Sequence, residues 1–305
     1  MIKNALQFYD FDSPKTELIR HNENMTYKII DNNKSYLLRI HNPVEGFNLD
    51  MLRCGIDKVK LISDEVKILQ HLEETLWTQK VKLSVCGNPI TFLDDDVPVT
   101  VLEWVEGVTI DNINITSEIA WKLGAMIGKM HNSLVHFTAN HRYCYDNALL
   151  MRMIDESSNA LIQGHFTKQQ SEIIANALNC IGEYFSNAKE RFMIVHTDLG
   201  KSNIILQNDT LIPIDFSLSG FCIPEMDLAS AFAHINDDAL NESILNGYTS
   251  ANKYILDEVG IEACFCLQIL LFVVCQHNKF AKESWFGEKL DEWCSNHFNP
   301  LIIKS

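Results

Sequence analysis

The stretch VHTDLGKSNIILQNDTLIPIDF (195–216) constrains the fold more than any other segment of the chain. Two short apolar runs, NIIL and LIPIDF, flank the polar QNDT. Asn208 and Asp209 are residues that favour tight turns, so the segment predicts a β-hairpin. A hairpin brings Asn203, at the start of its first strand, near Asp215, at the end of its second. Asp198 precedes Asn203 in the loop that leads into the strand. Three side-chain oxygen donors then converge at one end of a short ribbon. Such donors suit Mg²⁺, which takes one or two carboxylates and completes its shell with phosphate oxygens and water. A carboxylate that is not a main ligand can sit over the metal-bound phosphate and orient a hydroxyl, which is a phosphoryl-transfer arrangement.

The rest of the chain divides by character. MTYKII and SYLLRIH alternate around DNNK and predict a hairpin. From Ser63 onward, Val66, Leu69, Leu72 and Leu76 recur at helical spacing behind a Ser/Asp cap. VKLSVCG and VPVTVLEWV predict two further strands, with turns at Pro89 and Asp94–Asp96. Beyond Gly107 the pattern becomes helical. SEIAWKLGAMIGKMHNSL (117–134) and QQSEIIANALNCIGEYFSNA predict helices, as does nearly everything after Asp227. We therefore expect a strand-rich lobe over 1–103 and a larger helical lobe over 104–305 that contains the polar hairpin.

The motifs resemble those of a known family. His196-Thr197-Asp198-Leu199-Gly200-Lys201-Ser202-Asn203, then Ile214-Asp215-Phe216, then Asp227-Leu228-Ala229 are similar to the signatures of aminoglycoside phosphotransferases and choline kinases. LGAMIGKMH (123–131) is like a helix ending common in that group. The resemblance implies an α+β, protein-kinase-like two-lobed fold, with a small antiparallel-sheet lobe and a mainly helical C-terminal lobe. It implies ATP or GTP with Mg²⁺ as cofactors. Asp198 is then the catalytic aspartate, and Asn203 and Asp215 hold the metal. His196 holds the loop, and Asp227 braces it or caps the next helix. Arg39 stands where the family contacts nucleotide phosphates, with Glu65 as its helix partner. The Glu103 carbonyl and the Val105 amide offer hydrogen bonds to an adenine edge, and Leu102 lies behind the base.

The sequence departs from protein kinases in several places. RHNENMTY has no glycine-rich pattern, leaving backbone amides around Asn22 to Thr26 to meet phosphate. Arg39 replaces a lysine, Ser217 replaces the glycine of Asp-Phe-Gly, and no Ala-Pro-Glu follows. Gly200 stands two residues after Asp198, where protein kinases have lysine; Lys201 is one later. A small-molecule kinase fits these departures better. A protein Ser/Thr kinase of the same fold and a non-catalytic nucleotide-binding module remain alternatives.

Composition narrows the partners. A net charge of -15, with no Lys/Arg-rich run, gives no basic face for nucleic acid. The acidic surface suits a small cationic acceptor such as an aminoglycoside, and equally plain solubility. The N-terminus lacks the apolar core of a signal peptide. The run ACFCLQILLFVV (263–274) is short for a membrane span and reads as a buried helix, despite Gln268. Nine scattered cysteines without CxxC pairs point to reduced thiols in a cytoplasmic protein rather than to zinc.

Overall fold

The computed structural model describes residues 1–21, 24–42 and 50–304, without the side chains of Asp95 and Lys304. In chain order the elements are α1 (Ile2–Leu6), β1 (Lys15–His21), β2 (Met25–Asp31), β3 (Lys34–Ile40), α2 (Asp50–Arg53), α3 (Lys58–Glu73), β4 (Thr91–Phe92), β5 (Pro98–Glu103) and β6 (Val108–Thr109). There follow α4 (Ser117–Leu134), β7 (Tyr143–Cys144), α5 (Asn147–Ile162), α6 (Lys168–Asn187), β8 (Met193–Val195), β9 (Ile204–Gln207), β10 (Thr210–Pro213) and β11 (Gly220–Cys222). The chain closes with α7 (Glu225–Ile235), α8 (Asp238–Ala251), α9 (Glu258–Phe280), α10 (Ser284–Trp293) and α11 (Asn299–Lys304).

An antiparallel sheet of order β1-β2-β3-β5-β4 forms the first third. Its β2–β3 turn uses Asn32 and Asn33 with φ of 49° and 64°, the twist-matched hairpin turn that asparagine tolerates. Strand alternation sorts the two faces of this sheet. Leu38, Ile40 and Val101 join Ala5 and Tyr9 in a small core beneath α1. Leu37 and Leu102 face the opposite way, into the main core with α3. Arg39 shares that second face, which is why it meets α3 instead of solvent.

Two sequence expectations need correction here. The segment at 81–87 is not a strand beyond one bridge between Val81 and Leu102. Its alternation runs the wrong way: Leu83 and Val85 are exposed and Ser84 is buried. Ser84 instead organises a turn, accepting from the Asn88 and Gly87 amides. Helix α3 starts a turn before Ser63, because Asp57 caps it by accepting from the Lys60 amide. The run at 263–274 belongs to α9, whose 23 residues are long and apolar enough to cross a membrane by length and composition. In this fold α9 packs against α5, α6 and α7 and buries Leu267, Leu270 and Val274.

The larger, helical part holds one close crossing that matters for the site. Helices α4 and α8 meet glycine to glycine. A Cβ on Gly124 would lie 1.8 Å from the Ile244 carbonyl oxygen, and one on Gly247 would lie 1.9 Å from that of Trp121. Backbone carbonyls cannot yield as a flexible side chain can. Gly247→Ala is therefore expected to lower unfolding stability by about 3 kcal/mol, measured by urea denaturation. A change near zero would show that the helices part freely.

Candidate active site

Strand β8 is wholly buried and delivers the chain into the loop 196–203. That loop hangs on Asp227, in the first turn of α7. The buried Asp227 carboxylate accepts the His196 amide at 3.0 Å, the Thr197 amide at 2.6 Å and His131 Nε2 at 2.9 Å. Burial works against its charge, but His131, His196 and these hydrogen bonds outweigh burial and hold its pKa below the usual carboxylate value. An ionised carboxylate can only accept, so His131 Nε2 donates, and its Nδ1 shares a hydrogen bond of 3.0 Å with the Tyr248 hydroxyl. Tyr248 lies on α8, so the glycine crossing sets the depth of this relay. Asp227 makes no cap bond; it braces the loop.

Thr197 adopts φ of 69°, a conformation that a β-branched residue avoids. Every polar group it has is tied down. Its amide goes to Asp227, its hydroxyl donates to the Leu218 carbonyl at 2.9 Å, and its carbonyl accepts from Gln268 Nε2 at 2.7 Å. The polar interruption in the apolar α9 thus serves the loop.

The strained turn presents Asp198. The Ile214 carbonyl can only accept, so His196 Nε2 donates to it at 3.0 Å, leaving Nδ1 to accept the Asp198 amide at 3.3 Å. His196 therefore ties Asp198 to the residue before Asp215. Asn203 Nδ2 donates to both the carbonyl and Oδ2 of Asp198, each at 2.9 Å, which leaves its amide oxygen as the acceptor end. The Ile214 amide closes onto the Asn203 carbonyl at 2.9 Å. The hairpin turn at Asn208 and Asp209 has φ of 45° and 67°.

Asp215, itself left-handed with φ of 63°, receives two guanidinium groups. Arg39 Nη2 is 3.4 Å from Oδ1 and Arg20 Nη2 is 3.1 Å from Oδ2. Arg39 Nη1 also meets Glu65 Oε1 at 2.8 Å, and both of those side chains are buried. A buried charge needs such pairing to persist. Burial opposes the Asp215 charge, but Arg39, Ser217, Arg20 and His196 overcome it and hold the pKa at about 2. Asp198 is pushed the other way, by burial and then by Asp215, against the pull of His196, His234 and Asn203. Two neighbouring carboxylates thus differ: one is held firmly ionised, the other is the readier proton acceptor.

Glu103 closes β5; its amide donates to the Lys80 carbonyl at 2.7 Å, and the Trp104 amide donates to the Ser35 carbonyl at 3.0 Å. Val105 follows in the irregular link before Gly107, whose φ is +139° and whose Cβ would meet the Leu206 carbonyl at 2.5 Å. Leu102 is buried. Tyr36 pairs with Glu103 and Arg39 with Thr100, so the link stands about 10 Å along the sheet from Arg39. Asn22 and Glu23, from the glycine-poor loop, lie outside the described residues.

Residues 15–259 match the phosphotransferase enzyme family. The chain belongs to that family. The resemblance to aminoglycoside phosphotransferases read from its motifs is borne out. A search of the curated proteins finds no match. Solved structures show the same protein-kinase-like fold. A microcompartment-associated aminopropanol kinase superposes with a TM-score of 0.74 at 19% identity, covering 96% of this chain and 93% of that one. An amicoumacin kinase in complex with AMP-PNP, Ca²⁺ and Ami gives 0.73 at 17% identity, over 100% and 92%. A spectinomycin phosphotransferase in complex with ADP and spectinomycin gives 0.65 at 12%, over 95% and 92%.

This phosphotransferase has functional residues that the sequence reading passed over. Arg142 is buried and donates to the carbonyls of Leu61, Phe216, Ser217 and Ser219 and to the Ser219 hydroxyl. It fixes the chain after Asp215 to α3. Tyr145 adds its hydroxyl to the Leu218 carbonyl at 2.7 Å. Arg20 was missed as well. Each of these is a lone polar residue in an irregular stretch or at a strand end, and no spacing rule marks it.

Proposed function

We propose that the protein transfers the γ-phosphoryl group of ATP, or of GTP, to a hydroxyl of a small molecule. The observation that carries this is the junction of Asp198 with the Asn203–Asp215 hairpin base, closed by the Arg39–Glu65 pair. Asp198 orients the acceptor hydroxyl and takes its proton. Arg39, fixed by Glu65, faces the phosphates. The backbone of Glu103 and Val105 receives the base, at a distance a nucleotide bridges.

Asn203 and Asp215 fit a Mg²⁺ ion. Together they supply one amide oxygen and one firmly ionised carboxylate, the small protein share that Mg²⁺ takes when phosphates fill the rest. Among the described residues no cluster of three His, Cys, Asp or Glu offers an alternative nest. When bound there, the ion neutralises charge on the transferred group. Family membership supports the reaction class. Three solved relatives are named for small acceptors, and two of them for AMP-PNP or ADP.

A cationic acceptor is favoured by the net charge of -15. The scatter of the cysteines, with no CxxC spacing among them, supports a reducing, cytoplasmic setting.

The test is nucleotide consumption with Mg²⁺ and ATP or GTP across aminoglycosides, choline, amino alcohols, sugars and a generic protein. We expect turnover that depends on a small amine-bearing alcohol and vanishes in Asp198→Ala. Turnover on the protein substrate alone would overturn the acceptor class.

A further inference from the structure

Strand β1 carries an irregularity next to the site. Leu18 pairs with Tyr27 and Arg20 with Thr26, so Ile19 is an extra residue. A bulge breaks the in-and-out alternation and re-aims the side chain that follows. Here Arg20 reaches from the sheet edge to the hairpin end, 195 residues away in sequence, to meet Asp215 Oδ2.

The two arginines on Asp215 are unlike each other. Arg39 is buried, and Glu65 fixes its other nitrogen. The Arg20 side chain is 55% exposed, and its ion pair among the described residues is the one with Asp215. Exposed ion pairs are weak, and their long side chains rotate freely. Arg20 therefore neutralises the outer oxygen of the carboxylate without being fastened to it. A divalent cation on Asp215 draws on the same lone pairs and repels a guanidinium held there. A planar guanidinium released beside phosphate oxygens has a better partner than a single carboxylate oxygen, because its fork matches phosphate geometry.

We propose that Arg20 is an exchangeable counter-ion: it holds Asp215 Oδ2 until a divalent cation arrives with nucleotide, then turns to that nucleotide's terminal phosphate. This rests on the reading of Asp215 and the nucleotide given above. It makes the cation a poor ligand for the protein alone and a good one with nucleotide. The Ile19 bulge is the feature of the strand that aims the arm.

The test compares wild type, Arg20→Met, Arg20→Lys and Asp215→Asn by electron paramagnetic resonance of Mn²⁺ and by calorimetry with AMP-PNP. For Arg20→Met we expect Mn²⁺ binding without nucleotide to tighten about fivefold. We expect Mn²⁺–AMP-PNP binding to weaken by about the same factor. Arg20→Lys, which keeps the charge, should restore the competition with Mn²⁺. Unchanged Mn²⁺ affinity or unchanged AMP-PNP affinity in Arg20→Met overturns the exchange. If wild type binds Mn²⁺–AMP-PNP, Asp215→Asn does not, and Arg20→Met behaves as wild type, the exchange alone fails. If wild type binds no Mn²⁺–AMP-PNP, the nucleotide reading fails and the exchange falls with it.

Discussion

Asp198→Asn will lose turnover by about 10²–10⁴-fold while making the nucleotide-free protein more stable. The loss follows from removing the group proposed to take the acceptor proton. The gain follows from its surroundings. Burial and Asp215 both disfavour the Asp198 anion, so its folded pKa is raised. A raised carboxylate pKa costs the folded state stability as pH climbs from the unfolded value of about 3.9 through the folded one. Asparagine carries no such cost and its amide oxygen can still accept from Asn203 Nδ2. The melting-temperature advantage of Asp198→Asn should therefore appear above pH ~4 and level off once the wild-type carboxyl has ionised. Asp215→Asn should do the reverse. Its depressed pKa adds stability above the unfolded value, and that difference should fade as pH drops toward about 2. Thermal melts at a series of pH values decide both, and a wild-type protein that outlasts Asp198→Asn at neutral pH would refute the account of the loop's electrostatics.

Asp227→Ala is expected to cost about 3–5 kcal/mol, the largest stability loss of any single change discussed. The side chain has no exposure, and it satisfies two backbone amides and an imidazole at once. Alanine would leave three donors facing each other in a dry interior. It would also release Thr197 from its left-handed backbone, so kcat should fall even where the protein remains folded. Asp227→Asn should lie between, since its amide nitrogen points a donor at donors. Denaturant midpoints measure the effect. A loss below about 1 kcal/mol would mean that the loop is held elsewhere.

The legible parts of the site were those set by local chemistry. Asn32-Asn33 and Asn208-Asp209 declared their turns, and the spacing from Asp198 to Asn203 to Asp215 gave the ribbon geometry directly. Helix α4 was read residue for residue, because its apolar face repeats without interruption. Helix α5 was not. Its buried face uses Ser157 and Ala160 beside Leu149, Leu150 and Met153, which blurs the contrast that marks amphipathicity. VKLSVCG misled for the opposite reason: a clean alternation carried apolar residues to the surface. Arg142, Gln268 and Arg20 owe their roles to partners between 71 and 195 residues away, and local pattern is silent about such contacts.

Helix α3 is fastened to the helical part of the molecule at both its ends. Arg142 holds the Leu61 carbonyl, and the Asp64 carboxylate accepts the amides of Asn140 and His141. Farther along, His71 reaches the Ser133 carbonyl and Thr75 reaches the Ser133 hydroxyl. Kinases that are switched on and off do so in large part by moving the helix that bears this glutamate. Here moving the helix that bears Glu65 would break all of these contacts at once, so a shift of that helix is a costly way to silence the molecule.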